Sequence, residues 1–507
     1  MASDEEMSGA LAWLNKFCAD NTDKYEKEEN PLRIIAYYIS NHEMQGACMS
    51  WASSYLHKLD CPLNFALVLS YHIAKEVELL DTTQNFTQHD TEQGTQTVAA
   101  EVARCVFNKV HQVCCRWQSA PELPYFVKEY MLDDGKIFSG ACADQNRRKK
   151  MEDRYICIPN LNNLLQLEGK RVSYHAVYDG HGGIDAVAYT IQHLHLNIAK
   201  SPNFVNDPAK AIEEGFILTD KNFVQKANRE NLRSGTTSVV IMITSTHLHV
   251  GWVGDSQAIL ARNQTHIDIM TPHKPEREDE KKRIEDLGGC VVWFGAWRVN
   301  GTLSVSRAIG DASHKPYVSG DPDIKSLLLD GTEDFVVIAC DGLWDVIPPW
   351  EAVELVVDYV KDFGVDADAT AKHLVTQAVD RGSQDNITII IVFFEDGPLV
   401  TSCRPPKEEE SVIFPIPIAV TPEAQAILER LDRSVRGAQE SPEPAVEPST
   451  DQEVPISENR ATTNGSRPPT PRSERTTPRG ETPHKQQDCM SRGVTPHGLV
   501  TDTAEVK

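Results

Sequence analysis

The chain has no surplus of positive charge. Its 50 lysines and arginines face 74 aspartates and glutamates, a formal net charge of −24. Phosphate backbones need basic surface, so nucleic acid is excluded as the main ligand. Attraction to acidic membranes is excluded on the same ground. No apolar run approaches the length of a membrane span. The opening MASDEEMSGA has neither the basic end nor the apolar centre of a signal peptide. The 12 cysteines lack zinc-finger spacing, the adjacent Cys114 and Cys115 included. They read as reduced thiols, small buried or incidental residues in an intracellular compartment. The expected location is the cytoplasm, with the nucleus as a second compartment. No cysteine or serine stands out as a nucleophile with a paired base.

What is abundant is aspartate in a particular place. Four short acidic motifs each lie at one end of an apolar, strand-like run: YDGHGG around Asp179, GDS around Asp255, ACDGLWDV from Ala339, and QDNIT around Asp385. A buried carboxylate without a counter-charge is costly. Four of them, scattered over about 200 residues, make sense if the fold gathers them around a cation. Hard divalent ions want oxygen ligands, so a carboxylate-rich site suits magnesium or manganese better than zinc.

At 507 residues the chain is too long for one compact core, and two domains plus a tail are expected. Residues 1–130 read as helical: Val98, Val102, Cys105, Val106, Val110 and Val113 recur at three- and four-residue steps. Segments 31–59 and 65–80 are also apolar, and the polar stretch DTTQNFTQHDTEQGTQ beyond them reads as a loop. This region carries no cluster suited to chemistry. It is a helical docking or regulatory region, or an extension of the catalytic core. Deleting it is expected to leave hydrolysis of a small aryl phosphate intact if the core folds.

Residues 131–398 switch to short strands broken by Gly and Asp. In HLHVGWVGDS, Leu248, Val250 and Trp252 alternate with His247, His249 and Gly251, which predicts a half-buried strand. VVIMIT, DFVVIAC and ITIIIVFF read as fully buried strands. In GGIDAVAYTIQHLHLNIAK, Ile184, Val187, Ile191, Leu194 and Ile198 share one helical face, and PEREDEKKRIEDLGG ends on a two-glycine stop. Strands in close succession with helices grouped apart fit an α+β fold. Residues 399–507 are rich in Pro, Ser, Thr and Glu and read as mostly disordered, with one helix at 421–436. Thr470, Thr477, Thr482 and Thr495 each precede a proline, as sites for proline-directed kinases do, although such dipeptides are common in any disordered segment.

Taken together, RRKKMEDR, YDGHGG, SGTTS, GDS, RVNGTLSVSRAIGD, CDGLWDV and QDNIT occur in the order and spacing of the metal-dependent protein phosphatases of type 2C. The resemblance covers about residues 131–395. Each motif alone is weak; the seven in order are specific. RRKKMEDR, HKPEREDEKKRIEDLGG and WRVNGTLSVSRAIGD further resemble the branch that acts on calmodulin-dependent and p21-activated kinases, the latter through exchange-factor binding partners.

The resemblance implies an α+β fold: a central antiparallel β-sandwich flanked by helices, with a helical N-terminal region and a disordered C-terminal tail. It implies a serine/threonine phosphatase with two Mn2+ or Mg2+ ions per catalytic domain and a weaker third. Its substrates would be phosphorylated proteins, kinases among them, with docking partners recruited through residues 1–130 and neither nucleic acid nor membrane involved. Asp179 would bridge both ions and the Gly180 carbonyl would complete one site. Asp341 and Asp385 would hold the other ion, while Glu152 and Asp153 would act through bound water. Asp255 would sit where family members bind a weaker third ion, with help from Asp345, and Thr237 would line the same cleft. Arg148 would bind substrate phosphate through its planar fork of donors. His181 would be the general acid for the departing serine or threonine oxygen. Water activated by the ions would attack directly, without a covalent intermediate.

Plainer readings stand beside these. RRKK could be a nuclear-localisation patch, His181 a helix cap, and Asp255 a carboxylate that satisfies a turn. His273 in TPHKPER is expected in a mobile flap over the cleft, and Trp293 and Trp297 in flap packing or substrate contact. Gln257 stands where many relatives have arginine, and TPHKP lacks an aspartate many carry. Both departures touch the cleft rim and not the central ligands. A non-catalytic scaffold of this fold, or a two-metal hydrolase of nucleic acid or small phosphoesters, are the competing readings.

Overall fold

The computed structural model describes residues 2–21, 30–34, 36–91, 94–131 and 136–403. At its centre two five-stranded antiparallel sheets lie face to face. One runs Asp323–Leu328, His247–Val253, Ser238–Ile243, Ser173–Tyr178, Arg154–Ile158 from edge to edge; the other runs Thr265–Asp268, Gln257–Arg262, Glu333–Ala339, Ile387–Phe394, Ile137–Asp144. Val177, Val239, Ile241, Val250, Leu260, Val336, Ile338, Ile390 and Val392 fill the space between them. Ile387–Phe394 shows why such strands look uniformly apolar: Ile390 and Val392 face the sandwich interior, while Ile387, Ile389, Ile391 and Phe393 pack under helices Pro349–Phe363 and Ala367–Asp380. Both faces are dry, so both sets must be hydrophobic.

The same two-sided burial corrects the half-buried reading of His247–Val253. All but its first residue are buried. The face carrying His249 and Gly251 lies under helix Pro208–Glu230, whose Ile212 would meet a Cβ on Gly251 at 2.4 Å. A residue as small as glycine marks that close approach, not solvent. On helix Asp185–Ala199, Val187, Leu194 and Ile198 are buried as expected; Ile184 is its N-cap and 42% exposed.

The N-terminal region is helical over Ala2–Asp20, Met44–Lys58, Leu63–Glu78 and Ala99–Ser119. The polar stretch read as a loop instead holds a helical turn, Thr82–Asn85, capped by the Asp81 carboxylate, and a hairpin, Gln88–Thr91 with Gly94–Val98. Tyr38–Ser40 adds a third strand. Thr97 and Gln96 are buried there, so polar composition concealed a small sheet. The folded body also runs past the expected boundary at 398: Pro398–Cys403 is helical and buries Leu399 and Val400. The expected helix at 421–436 and the four Thr-Pro sites lie outside the described residues.

Candidate active site

The antiparallel registers bring one end of each central strand to a common edge. Tyr178 pairs with Arg154, Ser238 with Val253, Gln257 with Ala339, and Ile387 with Asp144. The residues just beyond those ends are Asp179, Glu152, Asp255, Asp341, Asp385 and Arg148, so six polar side chains far apart in sequence meet at one rim. They line a cleft of about 530 Å³ together with Gly180, His181, Thr237, Lys149, Lys150, Asn386, Arg298 and Leu303–Val305.

Local structure fixes each group. Gly180–His181 pairs with Gly235–Thr236, and the Asp179 carbonyl accepts from the Thr237 amide at 2.9 Å and the Thr236 hydroxyl at 3.0 Å. Gly182 and Gly183 then take φ of +68° and +129°, a turn that side-chain-bearing residues resist. Asn386 holds the opposite wall: its amide donates to the carbonyls of Gln145 and Lys150 at 2.9 and 3.0 Å, and its oxygen accepts from the Glu152 amide at 2.9 Å. Arg148 reaches the Asp385 carboxylate.

Two expected groups sit outside the cleft lining. Asp153 is buried behind it, accepting from the Thr388 hydroxyl at 2.9 Å. Asp345 is exposed, close enough to raise the pKa values of Asp255 and Asp341 by its charge. His273 corrects the flap reading. It is fully buried, its Nε2 lies 3.0 Å from Asp323, and its ring stacks on Trp252. It anchors the base of the segment and is not part of a mobile tip. Trp293, 64% exposed, stands edge-on to Trp297 in the hairpin Val291–Trp293 with Trp297–Val299.

One partner escaped the sequence reading. His181 Nε2 lies 2.7 Å from the carboxylate of Asp311, which is buried with its backbone at φ +49°. A Cβ on Gly235 would meet Asp311 Oδ2 at 2.1 Å and His181 Nε2 at 2.5 Å, so SGTTS contributes the gap in which the pair forms. The only sequence signal was that Asp311 closes the RAIGD motif.

Electrostatics state what the carboxylates lack. Burial, then repulsion from Asp153, Asp341, Asp255 and Asp385, pushes Asp179 far above the usual carboxylate range. Burial and the charges of Asp255, Asp385 and Asp345 hold Asp341 at about 8, and its Oδ1 is buried without a hydrogen-bond partner. Burial raises Asp255 and Asp153 to about 6 each. His181 is raised as well, against its burial: burial works to lower it, but the hydrogen bond and charge of Asp311 prevail. Such a cluster is relieved by cations. Among the described residues, no three carboxylate, imidazole or thiol groups already close on one point. The oxygen-only donor set and the orphaned Asp341 Oδ1 fit hard divalent ions that keep several waters, as magnesium does.

The sequence matches the family model of protein phosphatase 2C over residues 138–387. It is 38% identical over 418 residues to mouse protein phosphatase 1F, covering 78% of this chain and 89% of that one. To human protein phosphatase 1E it is 46% identical over 368 residues, which is 72% of this chain and 48% of that protein. The chain thus spans about half the length of the 1E relatives it matches. In fold it is similar to a solved sex-determining protein of C. elegans, at TM-score 0.62 and 24% identity, over 77% of this chain and 97% of the other. The chain belongs to the protein phosphatase 2C family, a family of manganese- or magnesium-dependent enzymes.

Proposed function

We propose that this chain is a protein serine/threonine phosphatase that removes phosphate from protein kinases of the calmodulin-dependent or p21-activated type. The observation that carries the phosphatase reading is the meeting of Asp179, Asp341, Asp385 and Arg148 at one edge of the sandwich, with Asp341 Oδ1 left unpartnered. The kinase assignment rests on motif resemblance to that branch, and the matches to protein phosphatases 1E and 1F support it.

Asp179 and the Gly180 carbonyl, with Asp341 and Asp385, would hold two divalent ions, with Glu152 and Asp153 acting through water and a weaker third ion beside Asp255 and Asp345. When bound, such ions acidify water and polarise phosphoryl oxygens. The protein's own groups do the rest. Arg148 presents parallel N–H donors to the phosphate and fixes its orientation. Asp311 occupies Nε2 of His181, so the proton for the departing oxygen is carried on Nδ1. As a water oxygen bonds to phosphorus, the P–O bond to serine or threonine breaks and that proton passes to the leaving oxygen. Inorganic phosphate is the second product. Thr237 braces Asp179 through its amide. Residues 1–130 would dock partners, and the cytoplasm, with the nucleus second, is the proposed location.

The test is hydrolysis of a phosphothreonine peptide with manganese, with chelator, and after Asp341→Ala. Manganese-dependent turnover that falls by about 100- to 1,000-fold in the variant is expected for a group stabilising the transition-state assembly. Well-folded protein inactive at every metal concentration would instead indicate a scaffold.

A further inference from the structure

The RRKK motif is only partly explained by phosphate binding, since Arg148 alone is assigned to it. Lys149 and Lys150 also line the cleft, and so does Arg298, which arrives from a different part of the chain. Of these four cations, only Arg148 reaches a carboxylate among the described residues. In a molecule of net charge −24, three cations without an ion pair at the mouth of one cleft are an unusual concentration.

Their backbones are held in place. Besides the Asn386 bonds to Gln145 and Lys150, Asn146 donates to the carbonyls of Ser383 and Asp385 at 2.7 and 3.0 Å, and Gln145 donates to that of Arg148 at 2.8 Å. The loop is therefore tied to the strand-end segment that bears Asp385, with the lysine side chains exposed. Arg298 is fixed more tightly. Its Nε donates to the Phe294 carbonyl at 3.2 Å and its Nη1 to the Thr302 carbonyl at 2.6 Å. That leaves Nη2 of the fork for a ligand, with little side-chain entropy left to lose.

We infer that the cleft selects phosphopeptides carrying a second anionic group close in sequence to the phosphoresidue, and that Lys149, Lys150 and Arg298 hold that group. The inference rests on the phosphatase reading of the same cleft and names its substrate class. The protein's net charge repels phosphopeptides at long range, but beyond about 8 Å that field is screened at physiological salt. Inside that distance a peptide meets the local groups of the cleft, where Lys149, Lys150 and Arg298 are the cations beyond Arg148. The scissile phosphate would be matched by Arg148 and by the ions that the carboxylates would hold, which leaves these three cations for the next charge along the peptide. A phosphate and a carboxylate side chain share the required chemistry.

Three phosphothreonine peptides, differing only in a neighbouring alanine, aspartate or phosphoserine, decide the matter. Both kcat/KM and peptide binding by fluorescence anisotropy are measured. The expected result is a preference of at least about fivefold for each acidic peptide over the alanine peptide, mainly in KM and in binding. It should fall toward parity in Lys149→Ala/Lys150→Ala/Arg298→Ala and shrink at high salt. A phosphoserine preference without an aspartate one narrows the class to doubly phosphorylated segments. Equal values for all three peptides, or a preference unchanged in the triple variant, overturn the inference. Absence of turnover on every peptide sinks the phosphatase reading instead, and the binding ratios then still judge the rim.

Discussion

Asp341 concentrates the chemistry of the site in one side chain. Burial and neighbouring carboxylates hold its pKa at about 8, so between the unfolded value near 4 and that folded value the native state keeps a proton that the unfolded chain releases. Without divalent ions, stability from this group is present at low pH and lost as pH rises toward 8. Asp341→Asn should therefore raise the Tm of chelator-treated protein by a few degrees at pH 8. It should also abolish most of the Tm increase that manganese gives the parent. A lower Tm for the variant in chelator would show that the carboxylate is held by contacts and not strained by repulsion. Asp179, Asp341 and Asp385 were legible in sequence because the signal is local: an aspartate directly after or before an apolar strand. Asp311 was not, because its partner lies 130 residues away and the two meet only because Gly235–Thr236 pairs with Gly180–His181 on one side and with Ile309–Gly310 on the other. Nor was the burial of Asp153 against Thr388, since nothing local says which way a carboxylate at a strand start turns.

At the level of elements, strand Ser173–Tyr178 is buried along its whole length, and it contains a histidine. His175 sits opposite Cys157 and Ile241 with neither ring nitrogen hydrogen-bonded, and burial lowers its pKa to about 3. The unfolded chain takes up a proton near pH 6.5 that the folded strand refuses until about 3, so stability falls as pH drops through that window. By pH 5 the loss from this ring alone is about 2 kcal/mol. His175→Leu removes the proton-binding site at similar volume. It should change stability by less than about 1.5 kcal/mol at pH 7 and move the acid-unfolding midpoint to lower pH. An unchanged acid midpoint would mean that other groups set it. Strands such as this were readable from β-branched runs, but which faces were covered was not. Period alone made His247–Val253 look half-solvated until helix Pro208–Glu230 was seen over Gly251. The hairpin Gln88–Thr91 with Gly94–Val98 was invisible because threonine and glutamine build a sheet without an apolar signature.

At the level of the molecule, the N-terminal helices and the catalytic fold share one hydrophobic cluster. Leu14, Phe65, Val106 and Phe107 belong to the same contiguous core as Tyr174, Leu194, Phe216 and Phe223. Specific contacts lock the two parts together. Glu43, buried and with its pKa lowered to about 2, sits between Lys226 at 2.6 Å and Arg229 at 3.0 Å. The Tyr71 hydroxyl donates to the Leu165 carbonyl at 2.8 Å. Helix Met44–Lys58 comes so close to helix Asp185–Ala199 that a Cβ on Gly46 would meet the His193 ring at 2.5 Å. Helix Asp185–Ala199 directly follows the turn bearing Asp179 and His181, so the N-terminal region supports the element that positions the site. The sequence showed a texture change near residue 130 and left two readings open, a docking or regulatory module and an extension of the catalytic core. Texture reports which secondary structure a segment forms, not whether its apolar face is covered by its own helices or by a neighbour's. Removing residues 1–130 should therefore expose the face of helix Asp185–Ala199 around His193 and the helix Leu161–Leu165, which the N-terminal helices cover, lower Tm by more than about 10 °C or leave the chain insoluble, and cost phosphatase activity through folding. Calorimetry of the intact chain should show the two parts melting in one cooperative transition. A soluble 131–403 fragment that melts near the intact protein's Tm would show instead that the shared cluster contributes little, and that the N-terminal helices are a separable docking region after all.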